Sequence, residues 1–143
     1  NSSAFAKHFM PTKKPVVLVV DDEEDVRLAC SMIFEEMGLE TLVASDGAVG
    51  IQVFQQHQRN IIAVLLDLTM PNMDGQEFFD HIQSLNSTVP VILSSGYSED
   101  EAMKRFHHPG IAAFIQKPYQ VEVLIAKIQE ITQKLAPPLK TLP

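Results

Sequence analysis

Two hydrophobic patterns alternate along the chain between about Val16 and Ala136. The first is a short apolar run rich in β-branched residues, which is typical of a strand buried on both faces of a parallel sheet. This pattern occurs five times and predicts strands over Val16–Val20, Thr41–Ala44, Ile61–Leu66, Val91–Ser94 and Ala112–Gln116.

The second pattern is an apolar residue at every third or fourth position, the spacing that places side chains on one face of an α-helix. Over Glu23–Met37 the apolar stripe contains Val26, Cys30, Ile33 and Met37, and Gly38 follows as a C-terminal stop. A second stripe contains Val121, Leu124, Ile128, Ile131 and Leu135. Local signals predict three further helices. Asp46 is the expected N-cap of a helix that runs to about His57, and the turn Asn72–Gly75 precedes a helix through Ile82 and Leu85. A capping box formed by Ser98 and Glu101 begins the third helix.

The regular alternation of strand and helix predicts parallel strands joined by right-handed crossovers. We therefore expect an α/β protein with a doubly wound, flavodoxin-like (βα)5 sheet in the strand order 2-1-3-4-5, covered by helices on both faces as a three-layer sandwich.

Prolines mark the two ends of this predicted domain. Five of the nine prolines lie outside it, at Pro11, Pro15, Pro137, Pro138 and Pro143. Proline-rich segments of this kind are typical of linkers. We expect an N-terminal flank over 1–15, one domain over 16–136 and a C-terminal flank over 137–143. Because the chain begins at Asn1 without an initiator methionine, we also expect that it was excised from a longer protein, with a native start at Met10 as the alternative.

Composition excludes several classes of protein. A net charge of −7, from 11 Lys and Arg against 18 Asp and Glu, argues against a nucleic-acid-binding protein. The single cysteine excludes an internal disulfide and fits a reducing cytoplasm. No apolar run has the length of a membrane span, so we expect a cytoplasmic chain that makes no contact with a membrane.

Polar residues follow the predicted strands at the edge where ligands bind in such sheets. Asp21 and Asp22 follow the first strand, and Asp67 follows the third. Ser94 and Ser95 stand at the end of the fourth, and Lys117 and Pro118 follow the fifth. Since the first and third strands are neighbours in the expected order, the three carboxylates should lie close together.

Three clustered carboxylates repel one another unless a cation lies among them. Oxygen ligands suit Mg²⁺, whereas zinc prefers histidine and cysteine. Asp67 could then accept a phosphoryl group as an aspartyl phosphate, with the cation, Lys117 and Ser95 each neutralising one phosphoryl oxygen.

Four segments of the chain together resemble the receiver domains of two-component response regulators. They are VVLVVDDEEDVR at 16–27, LLDLTMPNMDG at 65–75, PVILSSGY at 90–97 and AFIQKPY at 113–119. Their order and spacing make the resemblance specific, and it extends from Val16 to about Ala136.

The resemblance implies a role for each matching residue. Asp67 would be the phosphoacceptor. Asp22, Asp67 and the backbone carbonyl of Thr69 would bind Mg²⁺ or Mn²⁺, assisted by Asp21. Ser95 would form a hydrogen bond to the phosphoryl group, as would Lys117.

The resemblance also implies how phosphorylation changes the surface. Phe114 would turn inward as Ser95 moves toward the phosphoryl group, while Thr69 and Tyr97 would tune the access of water. The peptide bond between Lys117 and Pro118 would be cis.

The family implies particular partners. The phosphoryl donor would be phosphohistidine on a histidine kinase or a histidine phosphotransfer protein, and a homodimer could form through the helix 4–strand 5–helix 5 face. The residues within these motifs resemble those of the receiver domain in a hybrid sensor histidine kinase. The parent protein of this chain could then be membrane-anchored. A stand-alone regulator is the alternative. The chain has no ATP-binding kinase domain, so any catalysis is limited to its own phosphorylation and dephosphorylation.

Simpler roles account for the remaining candidates. Glu23, Glu24 and Asp25 are interpreted as acids that favour the positive end of a helix dipole. Asp74 is interpreted as a turn former, and Cys30 as a buried small apolar residue. The histidines are interpreted as surface residues, at His8, His57, His81, His107 and His108.

Three other functions on the same fold agree less well with the sequence. A flavin protein needs a phosphate-binding loop after the first strand, where the acidic run Asp21–Asp25 would repel a phosphate. A phosphatase of the haloacid dehalogenase type needs an aspartate two residues after the nucleophile, where this chain has Thr69. A receiver that binds proteins without being phosphorylated would not need the complete set of reactive residues.

Overall fold

The computed structural model describes residues 14–70, 75–85, 88–106 and 110–135. Its strands are β1 (Val16–Val20), β2 (Glu40–Ala44), β3 (Ile61–Asp67), β4 (Val91–Ser95) and β5 (Ile111–Gln116). Its helices are α1 (Glu24–Glu36), α2 (Gly47–His57), α3 (Gly75–Leu85), α4 (Glu99–Arg105) and α5 (Val121–Leu135). Among the described residues, no helix is long and apolar enough to cross a membrane.

All strand pairs are parallel, and the order in the sheet is β2-β1-β3-β4-β5. This order confirms the predicted flavodoxin-like fold. In the register of the sheet, Val20 lies opposite Leu66, and Asp67 lies opposite Ser94. The carboxyl ends of β1, β3 and β4 are therefore level with one another.

A separate hydrophobic core lies on each face of the sheet. On one face, Phe54, Phe78 and Phe79 of α2 and α3 pack with Leu18 and Leu66. On the other face, α1 and α5 cover the sheet through a second set of buried residues: Cys30, Phe34, Leu124, Ile128 and Ile131. The helices thus form two layers with the sheet between them, as expected.

The prediction that every strand is buried on both faces is wrong for β2 and β5. These strands lie at the two edges of the sheet, and both contain exposed residues. The burial of two helical residues also differs from the predicted stripes. Val121 is 47% exposed because it lies at the first position of α5, and Phe34, outside the predicted stripe, is fully buried.

The predicted helix ends are confirmed where the structure describes them. Gly38 follows α1 with φ of 82°, a conformation that glycine adopts without strain. The side chain of Asp46 accepts a hydrogen bond from the backbone of Val49, and that of Ser98 accepts one from Glu101. The predicted turn at Asn72–Gly75 lies outside the described residues, except that α3 begins at Gly75. Most of the predicted flanks also lies outside them.

Candidate functional site

The site lies at the carboxyl edge of the sheet, where the chain leaves four strands. Asp21 follows β1, Asp67 and Ser95 are the last residues of β3 and β4, and Lys117 follows β5. Asp67 and Ser95 belong to the strands themselves, one residue later than the sequence pattern predicts. Their backbones are therefore held by the sheet.

Lys117 lies at the centre of three carboxylates. Its Nζ is 2.8 Å from Asp21 Oδ2, 3.0 Å from Glu23 Oε2 and 3.4 Å from Asp67 Oδ2. Its backbone N–H donates to the carbonyl of Ser95 at 2.7 Å, and the following peptide bond, to Pro118, is cis. The lysine is thereby fixed at both ends.

Burial and charge oppose each other in this cluster. Burial raises the pKa of Asp21, and the nearby charge of Asp67 raises it further, although Lys117 and the backbone N–H of Glu23 favour the ionised form. Burial alone would lower the pKa of Lys117, but its carboxylate partners raise it above the ordinary value. Lys117 therefore remains charged among these acids.

The two carboxylate oxygens of Asp67 have different surroundings. Oδ1 accepts hydrogen bonds from the backbone N–H and the hydroxyl of Thr69, each at 3.0 Å. Oδ2 faces the Lys117 ammonium at 3.4 Å. The side chain is almost completely buried, so these contacts fix its orientation.

Four acids at this edge could hold a metal ion. Carboxylate oxygens of Asp21, Asp22, Glu23 and Asp67 all lie within 4.8 Å of one another. Asp21 Oδ2 is buried and, among the described residues, has no aligned hydrogen-bond donor, since the 2.8 Å approach of Lys117 is an ion pair without hydrogen-bond geometry. A buried carboxylate oxygen with spare capacity and exposed acids beside it fit a hard divalent cation with several water ligands.

Glu23 is a member of this site that the sequence interpretation missed. Its side chain contacts Lys117 and does not cap α1, whereas Glu24 and Asp25 do lie in the first turn of that helix as expected. The cause is a local turn, in which Glu23 N–H donates to Asp21 Oδ1 at 2.9 Å. This turn keeps Glu23 beside the ends of the strands.

The two residues predicted to form the switch, Ser95 and Phe114, are both buried. Ser95 Oγ accepts a hydrogen bond from the backbone N–H of Tyr97 at 2.9 Å. The ring of Tyr97 lies under the guanidinium of Arg105, 4.2 Å from the ring centroid. Phe114 is buried in the core on the α2–α3 side of the sheet.

A further buried contact joins β4 to the loop that carries the lysine. Ser94 Oγ and Tyr119 Oη lie 2.5 Å apart, and Ser94 is fully buried. Burial also raises the pKa of Tyr119 above its ordinary value. The sequence shows a serine and a tyrosine at these positions, but no spacing rule connects them.

An open cavity of about 520 Å³ lies beside the lysine. One wall is the apolar side of α1, with Val26, Ala29 and Ile33, and the other contains Pro118 and Tyr119. Glu23, Thr69 and Lys117 also line it, so the cavity leads directly to the charged cluster.

Comparison with known proteins identifies similar chains. The response regulator receiver domain family matches residues 17–129. Regulatory protein AtoC of Escherichia coli is 32% identical over 82% of this chain, which spans 25% of that protein's length.

Two solved structures share both fold and sequence with it. The CheX–CheY–BeF3–Mg complex of Borrelia burgdorferi superposes with a TM-score of 0.75 at 28% identity, covering 82% of this chain and 89% of the other. The receiver domain of the hybrid histidine kinase CckA superposes with a TM-score of 0.71 at 25% identity, covering 82% and 99%.

Proposed function

The chain belongs to the response regulator receiver domain family of two-component signalling, and we therefore propose that Asp67 accepts a phosphoryl group from phosphohistidine. The observation that carries this proposal is the position of Asp67. It is buried at the end of β3, with one oxygen held by Thr69 and the other facing Lys117 at 3.4 Å. Family membership also favours this function over the flavin protein and the small-molecule phosphatase.

In the proposed reaction, a carboxylate oxygen of Asp67 attacks the phosphorus of phosphohistidine. An O–P bond forms as the N–P bond breaks, and the imidazole leaves with the electron pair and takes up a proton from water. Lys117 neutralises one phosphoryl oxygen. Ser95 Oγ accepts from Tyr97, so its own proton is available to donate to another phosphoryl oxygen.

We propose Mg²⁺, or Mn²⁺ in its place, as the cofactor of this reaction. Asp21, Asp22, Asp67 and the Thr69 carbonyl would hold the ion, and the clustered oxygens support this assignment. When bound, the cation would reduce the repulsion between the carboxylates and an incoming phosphoryl group. The Borrelia burgdorferi complex, which contains Mg and BeF3, supports the same choice.

Phosphorylation would then change the surface of the domain. We propose Ser95 and Phe114 as the residues that move, and Thr69 and Tyr97 as those that tune the access of water. The face formed by α4, β5 and α5 would carry the signal, and it is also the proposed homodimer surface.

The proposed donor is a helix that presents phosphohistidine, from a histidine kinase or a histidine phosphotransfer protein. The cavity beside Lys117 opens along α1, where Leu28 and Met32 are 56% and 68% exposed. An apolar strip next to a charged site suits an amphipathic partner helix. The net charge of −7 of the chain disfavours binding to nucleic acid or to an anionic membrane surface, and we propose the cytoplasm as its location.

The similarity to the CckA receiver favours an origin in a hybrid sensor histidine kinase. A stand-alone regulator would use the same chemistry. The domains encoded beside this one in its parent gene distinguish the two arrangements.

Phosphotransfer from labelled proteins tests the proposal. Histidine phosphotransfer proteins carrying ³²P-phosphohistidine are mixed with the chain and Mg²⁺. The label should move from one of them to the wild-type chain and not to Asp67→Asn. Equal labelling of the two chains would contradict it.

A further inference from the structure

We propose that Glu23 is a specificity-determining residue that disfavours small, highly charged phosphodonors; this inference rests on the proposed function of Asp67. Glu23 Oε2 lies 3.0 Å from Lys117 Nζ, and its side chain is 60% exposed. The other two carboxylates that contact the ammonium are at most 2% exposed. Glu23 therefore covers the side of Lys117 that faces solvent.

Three carboxylates enclose the ammonium on the sides that an incoming group could reach. Lys117 Nζ donates hydrogen bonds to Glu23 and Asp67 and forms an ion pair with Asp21, and its side chain is only 14% exposed. A phosphoryl oxygen must replace one of these carboxylates. Asp67 is the proposed reacting group and Asp21 is buried, so Glu23 is the partner that can move into water.

The backbone of Glu23 keeps its carboxylate at the entrance. Its N–H is bound to Asp21 Oδ1 at 2.9 Å, and its side chain lines the cavity together with Thr69, Gly96 and Lys117. An approaching phosphodonor therefore passes a negative charge that is added to those of Asp21, Asp22 and Asp67.

Repulsion by this charge increases with the charge of the donor. A small dianion such as acetyl phosphate has only its phosphoryl group to bind, so the repulsion slows it directly. A phosphohistidine on a protein gains contacts with α1 that offset the repulsion. Glu23 thus directs Asp67 toward protein donors and away from metabolic acyl phosphates.

The test compares Glu23→Gln with Glu24→Gln, a matched control that removes an exposed acid one residue away in the first turn of α1. Phosphorylation rates are measured with acetyl phosphate, a dianion, and with phosphoramidate, a monoanion. Mg²⁺ is kept saturating for each variant, as established by calorimetry, because Glu23 belongs to the acidic cluster. Each rate is measured at low and at high ionic strength.

With Glu23→Gln, the rate with acetyl phosphate should increase about three- to tenfold at low salt, and the rate with phosphoramidate less than about twofold. High salt should reduce the difference because the side chain is exposed. Glu24→Gln should behave as wild type. An unchanged ratio of the two rates in Glu23→Gln, or the same change in Glu24→Gln, would overturn the inference and leave the phosphoacceptor role of Asp67 intact.

A measurement without Mg²⁺ or phosphodonor keeps the two proposals separate. The ¹⁵N resonance of Lys117 Nζ should shift in Glu23→Gln and stay unchanged in Glu24→Gln. If no protein donor carrying phosphohistidine phosphorylates Asp67 of the wild-type chain, the proposed function fails. An unshifted Lys117 resonance in Glu23→Gln would show that the contact is absent in solution and would overturn this inference by itself.

Discussion

The hydroxyl groups of Ser94 and Tyr119 lie 2.5 Å apart in the interior of the domain. Ser94 is opposite Asp67 in the sheet, and Tyr119 is two residues beyond Lys117. The contact therefore ties the strand next to the proposed phosphoacceptor to the loop that carries the lysine. Neither hydroxyl belongs to the charged cluster, but their contact holds the loop of Lys117 against the strand beside Asp67.

Removing one of these hydroxyls should destabilise the fold. In Tyr119→Phe, the fully buried Ser94 hydroxyl loses its partner, and an unpaired buried hydroxyl costs about 1–3 kcal/mol. The double variant Ser94→Ala/Tyr119→Phe removes both polar groups and should recover part of this loss. Urea unfolding measures these differences.

Tyr97→Phe is the control for this comparison, since it removes a hydroxyl from a tyrosine that is 37% exposed. It should change stability by less than about 0.5 kcal/mol. The interpretation is wrong if Tyr119→Phe unfolds at the same urea concentration as this control.

Lys117→Ala should destabilise the domain in the absence of Mg²⁺. Asp21 and Asp67 would stay buried without their cation, and breaking a buried pair in this way costs about 3 kcal/mol. We expect the pKa of Asp21 to rise further, because an interaction that favours its ionised form is lost. Under the proposed mechanism, the variant should still bind Mg²⁺ but should not switch when phosphorylated.

The matched variant for this experiment is Lys127→Ala, which removes a lysine of α5 that is outside the charged cluster. Chemical denaturation of both variants, with and without Mg²⁺, gives the comparison. Equal stability of the two variants without Mg²⁺ would contradict the structural role of Lys117.

Mg²⁺ should raise the melting temperature of the wild-type chain. An ion that binds only the folded carboxylate cluster stabilises by mass action, by about 2.7 kcal/mol at a hundredfold excess over its Kd. Asp22→Asn should lose most of this shift. Asp25→Asn, which removes an exposed acid in the first turn of α1, should keep it. A shift of the same size in both variants would show that the ion binds elsewhere.

Stability should fall at alkaline pH partly because of Cys30. Burial raises the pKa of this thiol from 9.0 to about 12, so the folded state favours the neutral thiol. The stabilisation is complete below pH 9 and is lost as the pH rises toward 12, by about 1.4 kcal/mol per pH unit within that window.

Comparison with Cys30→Ala isolates this contribution, since the variant should show a shallower decline of unfolding free energy above pH 9. The range from pH 9 to 10 is the most informative, because Tyr119, whose pKa burial also raises, affects stability only above pH 10, where the unfolded phenol ionises. An identical pH slope in the two proteins would contradict the role of the thiol. Cys30 should also resist thiol reagents in the folded state, as the sequence interpretation of a buried apolar residue implies.

The sequence pattern predicts the fold and the main acids because both depend on regular structure. Alternating strands and helices determine the order of the sheet, and the strand-end rule places Asp21 and Asp67 together. The pattern overestimates the burial of β2 and β5, since an apolar run does not reveal whether a strand lies at an edge.

The contacts that were not predicted depend on loops. Glu23 contacts Lys117 because a two-residue turn at Asp21 directs it toward the strand ends. Tyr119 contacts Ser94 because of the path of the chain after β5. Pairs of this kind are far apart in sequence and follow no periodicity, so only the folded chain shows them.

Mapping the phosphorylated residue tests the central claim most directly. The wild-type chain and Asp67→Asn are incubated with Mg²⁺ and acetyl phosphate and examined by intact-protein and peptide mass spectrometry. The wild-type chain should gain one phosphoryl group on the peptide that contains Asp67, and the variant should gain none. Equal phosphate incorporation in the two proteins would show that Asp67 is not the phosphoacceptor.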